Sequence, residues 1–408
     1  MNRMPTFNRR LALATAAALL ALAASAPAQA QKRYDPGASD TEIRIGQTMP
    51  YSGPLSMLGT IGKASAAYFE KVNAEGGVNG RKIRLISVDD GYNPAKALEM
   101  TRRLVENDEV LLIFNTVGTA TNLATHRYLN TRKVPQLLIM SGANRWNDPK
   151  HFPYTLGGML SYDAEARLYT RHMLDTVKEP RIAVLSQNDD FGRDFVHGLK
   201  AHLGERARTL IVAEATYEVT DPTVDSQIAQ LKASGANVFM NFSNGKFTVQ
   251  SLRRAGEMGW TPQIYLPVGS TSITSILKPA GPERAVGAIT ISNHKNPLDP
   301  QWRDDPGMKE YLDFMKRHAP ELDADNSLNV NGLSMARLLV EVLRRCRDDL
   351  TRDNVMRQLL SLKDYSNPLM LPGVSMSLGP SDYELYGAIK LQRFDGQSWV
   401  PFGNPLTR

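Results

Sequence analysis

Three loops hold the side chains best able to bind a small molecule: residues 52–59, 116–121 and 141–146. Gly118 removes the side chain where a ligand would approach the main chain, and Thr119 and Thr121 can donate hydroxyl hydrogen bonds. Thr119 can equally serve as the cap of its own helix. Asp89-Asp90 and Asp189-Asp190 each follow an apolar run. Such pairs could hold a cation or act as acid and base, or they could tie down a loop and start the next helix. Glycine-rich dinucleotide or phosphate loops and a Gly-x-Ser-x-Gly elbow are absent from the sequence. The seven histidines are scattered, with neither a His-Glu-x-x-His pair nor a Cys/His cluster. Binding without catalysis, cofactor or metal is therefore the expectation.

The chain has 408 residues and a formal charge of +6. It opens with a basic head (Arg3, Arg9, Arg10), an apolar run over 11–24 and the small-x-small triplet Ala28-Gln29-Ala30. This order predicts a secretory signal peptide over residues 1–30, cleaved after Ala30. The apolar run is shorter than the roughly 20 residues that a membrane span needs. No cysteine lies near the cleavage site to carry a lipid. Removing residues 1–30, with three Arg and no acid, lowers the charge to +3. So small a balance, without a basic tail, argues against nucleic acid as a partner. A single cysteine, Cys346, excludes an internal disulfide and falls on an apolar helical stripe.

The elements that must position the loops alternate regularly. Strands are expected over 42–47, 82–88, 110–115 and 134–140, with helices over 61–73, 93–107 and 119–130 between them. Asn93-Pro94 reads as an N-cap followed by the first helical residue. A second series starts after residue 160, with strands over 181–186, 210–215, 237–242 and 263–267 and helices over 191–203, 224–233 and 246–258. Two such β-α series predict two doubly wound, parallel α/β domains. The tail differs, with helices over 306–318, 331–347 and 351–362 and strands over 374–378 and 386–394.

Three segments in order carry a resemblance: Ile-Gly-Gln-Thr-Met-Pro-Tyr-Ser-Gly-Pro (45–54), Asn-Ala-Glu-Gly-Gly-Val-Asn-Gly-Arg-Lys-Ile (73–83) and Asp-Asp-Gly-Tyr-Asn-Pro-Ala-Lys-Ala (89–97). Together the chain resembles the leucine/isoleucine/valine-binding type of periplasmic solute receptor that serves ABC importers. The resemblance implies a type I periplasmic binding fold, with two doubly wound parallel-sheet lobes joined by three crossing strands. Lobe one would comprise 38–157 plus 297–365, and lobe two 158–296 plus 366–408. It also implies hinge closure around a solute, then docking of a monomeric receptor on permease and ATPase subunits in the inner membrane.

Carried over by position, the resemblance sets Gly118 and Thr119 against a ligand carboxylate, beside Gly142, Ala143 and Asn144. Leu58 and Phe191 would wall the ligand, and Asn244 would contact it from the second lobe. Amino-acid-binding members place an acid after the strand that matches 263–267, and here that position is Val268. An ammonium buried without its carboxylate loses about 3–5 kcal/mol. The expected ligand is therefore a small carboxylate without an α-amino group, such as an aromatic or phenylpropanoid acid. The alternatives are a branched-chain amino acid receptor and an exported sensory module.

Overall fold

The computed structural model describes residues 32–407, so the signal peptide and cleavage site expected over residues 1–30 lie outside the described residues. The first sheet holds β1 (Glu42–Met49), β2 (Lys82–Asp89), β3 (Leu112–Phe114), β4 (Gln136–Ile139) and β5 (Thr155–Gly157). All neighbours in it are parallel, in the order β2-β1-β3-β4-β5. The second sheet holds β6 (Ile182–Gln187), β7 (Ile211–Tyr217), β8 (Val238–Phe242), β9 (Gln263–Tyr265), β10 (Ile289–Ser292), β11 (Ala388–Phe394) and β12 (Trp399–Thr407). Its order is β12-β11-β10-β9-β8-β6-β7, with β11 antiparallel to both of its neighbours, β10 and β12. β3, β6 and β8 are buried along their whole length. Their near-continuous apolar runs follow from helices covering both faces of a parallel sheet.

Helices α1 (Thr60–Ala74), α2 (Pro94–Glu106) and α3 (Thr119–Thr131) alternate with the first strands. Next come α4 (Tyr162–Thr176), α5 (Asp190–Leu203), α6 (Asp225–Ala233) and α7 (Lys246–Glu257). The tail adds α8 (Pro306–His318), α9 (Ser327–Cys346) and α10 (Arg352–Leu360). Asn93 caps α2 as expected, its Oδ1 accepting from Ala95 N–H (2.9 Å) and Lys96 N–H (3.1 Å). α9 returns to pack on α1, where Ser65 Oγ donates to Gly332 O at 3.0 Å. The chain thus passes three times between the two layers. The connecting segments are stitched together: Ser161 N–H donates to Glu384 Oε1 (2.9 Å) and Lys295 N–H to Leu369 O (2.8 Å).

The labelled elements depart from the sequence expectation at five points: α4, β5, β10 and β12 form where none is expected, and residues 374–378 make only isolated bridges instead of a strand. Ser161 caps α4 from its side chain, with Asp163 and Glu165 in the first turn. That is a legible helix start hidden by the polar tail of the sequence 162–176.

Candidate functional site

Both sheets share the strand order 2-1-3-4-5 when counted within each series, which fixes where a ligand can sit. The loops after the first and third strands diverge to opposite faces there, leaving a crevice at the carboxyl ends. In the first sheet those loops follow β1 and β3, and in the second they follow β6 and β8. The two crevices face each other across a cavity of about 460 Å³ of open space. Leu55 and Leu58 come from the loop after β1, and Val117, Gly118 and Thr119 from the loop after β3. Phe191 follows β6, Asn244 follows β8, and Pro267 and Gly269 follow β9. Tyr92, Met140, Met159 and Tyr162 complete the wall.

Gly118 has φ +102°, and a Cβ there would lie 2.4 Å from Tyr92 Cε2. Only glycine lets the tyrosine ring pack against the start of α3. The α3 N-terminus therefore opens into the cavity with the unpaired N–H groups that begin any helix. Thr119 Oγ1 pairs with Ser141 Oγ (2.7 Å) and with the Tyr162 phenol (3.3 Å). Tyr162 in turn stacks on Phe195 and meets Phe191 edge-on, with ring centroids 4.5 and 5.2 Å away. Burial pushes the Tyr162 phenol up to about 12 and Tyr92 higher still, so both stay neutral donors.

The structure thus gathers Leu58, Gly118, Thr119, Phe191 and Asn244 around one cavity. It does not bring Gly142, Ala143 or Asn144 to that wall, because protein partners use their polar atoms. Gly142 O accepts from Tyr162 N–H at 2.7 Å, and Ala143 N–H donates to Ser141 Oγ at 3.3 Å. Asn144 N–H donates to Asp194 Oδ2 of α5 (3.1 Å), and its Oδ1 accepts from Asp163 N–H (3.2 Å). The loop latches one layer to the other. Val268 lines an adjoining chamber, and its N–H donates to Glu165 Oε1 at 2.8 Å.

The acidic pairs tie down loops. Asp89 accepts from Ser52 N–H, Ser52 Oγ, Gly91 N–H and Lys96 Nζ, which hold its carboxyl well below the usual range. Asp189 caps α5 through Phe191 N–H (3.0 Å) and Gly192 N–H (3.3 Å), and Asp190 pairs with Arg193. Among the described residues no group of three or more His, Cys, Asp or Glu could hold a metal ion. Lys246, at the start of α7, donates to Asp221 O at 2.9 Å.

Tyr92, Met140, Met159 and Tyr162 went unrecognised in the sequence. Tyr92 carries a backbone signature, φ +58° on a bulky residue, that marks strained positions near sites. No sequence pattern marks the two methionines.

Two doubly wound layers enclosing a cavity between their carboxyl ends define a two-lobed solute-binding receptor. The sequence matches the periplasmic binding protein family over residues 42–394, and the chain belongs to that family. A relative, Leu/Ile/Val-binding protein homolog 7 of Brucella suis, is 23% identical over 76% of this chain and 78% of its own. The fold matches that of a branched-chain amino acid ABC transporter protein from Thermus thermophilus with bound valine. That match has a TM-score of 0.80 and 18% identity, covering 90% of this chain and 97% of that one. A fatty acid ABC transporter substrate-binding protein from Thermomonospora curvata matches with TM-score 0.78 and 21% identity, covering 92% and 95%. The fold is type I periplasmic binding, and these relatives are receptors, not enzymes.

Proposed function

We propose that this chain is the periplasmic receptor of an ABC importer and closes around a small monocarboxylate with an apolar body, such as an aromatic or phenylpropanoid acid. One observation carries the reading: among the described residues no Asp, Glu, Lys or Arg lines the cavity, whereas the N-terminus of α3 does. Such a wall offers donors to an anion; charge-assisted hydrogen bonds contribute about 1.5–3 kcal/mol each. An ammonium needs a carboxylate partner, and the cavity wall offers only the neutral Asn244 amide, whose Oδ1 also accepts from Ser270 Oγ at 2.8 Å. Leu55, Leu58, Val117 and Phe191 supply the apolar walls. Closure strengthens each polar contact by removing water.

A branched-chain amino acid is the second reading, favoured by the names of the relatives and by Glu165. This buried carboxyl sits behind Val268, and its Oε2 has no partner within the protein.

A thermal-shift comparison of amino acids with aromatic and aliphatic carboxylic acids separates the two. Ligand at about 100 times its Kd stabilises the fold by roughly 2.7 kcal/mol. Stabilisation by the acids and not by leucine, isoleucine or valine supports the first reading. Stabilisation by the amino acids overturns it. The importer's permease and ATPase subunits are the expected partners of the closed, monomeric form.

A further inference from the structure

A second chamber adjoins the ligand cavity, and Met140 and Met159 belong to the wall of both. It holds about 680 Å³ of open space and lies against the crossing segment at 293–296, beneath the start of α9. It brings more hydrogen-bonding side chains than the first cavity. Beside apolar side chains such as Leu160, Val268 and Ile389, its wall carries the hydroxyls and amides of Ser292, Asn293, Asn296, Ser327, Asn331 and Gln392.

The two basic residues on this wall bring no free charge. His294 Nδ1 meets Asn293 Oδ1 and its Nε2 meets Ser334 Oγ, each at 2.8 Å. Burial holds this imidazole down at about 4, hence neutral. Lys295 Nζ is spent on Asp305 Oδ2 (2.7 Å) and Pro368 O (2.8 Å). One acceptor does stand open: Asn331 Oδ1 is buried with no partner within the protein. A buried amide oxygen left unpaired costs free energy that a donor from a ligand would recover.

We propose that the chamber is a second subsite, taking the neutral, hydrogen-bonding far end of a ligand whose carboxylate lies at the start of α3. The ligand class is then a monocarboxylate with a hydroxyl or amide remote from the acid, its apolar middle passing between Met140 and Met159. Unbranched thioethers adjust readily to such a passage. A second carboxylate is disfavoured, because the chamber has no unpaired cation to meet it. This inference rests on the carboxylate reading above.

The test uses 3-phenylpropanoate and 3-(4-hydroxyphenyl)propanoate, which differ only by the distal hydroxyl. Their Kd values are measured by calorimetry on the chain without residues 1–30 and on Asn331→Leu and Ser327→Ala. Wild type should bind the hydroxylated acid about tenfold tighter, the scale of one hydrogen bond made to a buried group. Asn331→Leu, which roughly keeps the side chain's shape and removes the acceptor, should erase that preference. It should leave the plain acid within about twofold, which controls for a general loss of fold, while Ser327→Ala, which removes a hydroxyl from the same wall, should weaken the preference in part. Both acids bound with an equal ratio in wild type and Asn331→Leu overturns the subsite and leaves the carboxylate reading standing. Neither acid bound overturns both.

Discussion

Gly245 and Leu55 meet across the cavity: a Cβ on Gly245 would stand 2.3 Å from Leu55 Cδ2. The glycine begins α7 on the second layer with φ +56°, and the leucine belongs to the loop after β1 on the first. Two further contacts shut the same cleft, Asn144 N–H to Asp194 Oδ2 and Ser272 Oγ to Asn326 Oδ1 (3.0 Å). Gly245→Ala should therefore hold the layers apart. The left-handed backbone costs alanine about 1–2 kcal/mol of stability. Ligand affinity should fall more, by roughly tenfold or beyond, since closure itself is blocked. Calorimetry read beside small-angle scattering checks this, and wild-type affinity in a compact Gly245→Ala protein would contradict it.

Thr119 carries a hydroxyl that joins Ser141 to Tyr162 at the cavity wall. Thr119→Val keeps the shape and deletes that link, so stability should drop by about 1–2 kcal/mol. Affinity for a carboxylate ligand should fall roughly tenfold, and Thr119→Ser should restore most of it. Denaturant melts and binding isotherms of the two variants give the comparison.

Glu165 is buried beside Tyr169 and the Val268 N–H, and burial pushes its carboxyl up to about 7. A carboxyl with its folded value above its unfolded one binds more protons when folded. Its contribution to stability is therefore lost as pH rises from about 4.5 through 7. That loss amounts to about 3 kcal/mol. Glu165→Gln should gain on wild type by about 2–3 kcal/mol between pH 5 and pH 8. His126 and His294, both held down at about 4, act oppositely: their contribution is lost as pH falls below about 6.5. They are present in both proteins and cancel in the difference. Urea melts at the two pH values decide it, and a pH-independent difference would refute the assignment.

Cys346 lies buried on α9, and burial pushes its thiol up to about 12. Almost none of it is thiolate at pH 8, so a disulfide reagent should label the native protein roughly a thousandfold more slowly than the urea-unfolded chain. Fast labelling of native protein would place the thiol at the surface.

What the sequence discloses follows from where the physics is local. Asn93-Pro94 announces α2 because cap and first turn lie within four residues, and β6 and β8 announce themselves as apolar runs. The loops that form the cavity follow from strand order, so Gly118 and Thr119 are legible once parallel sheets are expected, whereas Phe191 enters only through the resemblance. Asn144 is not legible, because its amide is claimed by Asp163 and Asp194, residues 19 and 50 positions away. Met140 falls inside the strand expected over 134–140 and so is not read as cavity wall, while Met159 follows β5, a strand of three residues too short to read by pattern. β12 belongs to the second sheet only through antiparallel pairing with β11, a relation that no helical crossover signals.

The seam between α1 and α9 has a consequence for how the protein is made. Ser65 waits for Gly332 across 267 positions of chain, so a polypeptide emerging from its N-terminus cannot finish its first sheet's cover until most of it exists. The second layer's parallel core, β6 to β10, has no such dependence on the far end and can consolidate first. Early chains therefore linger in an unsettled form, a delay set by topology and not by any single weak contact.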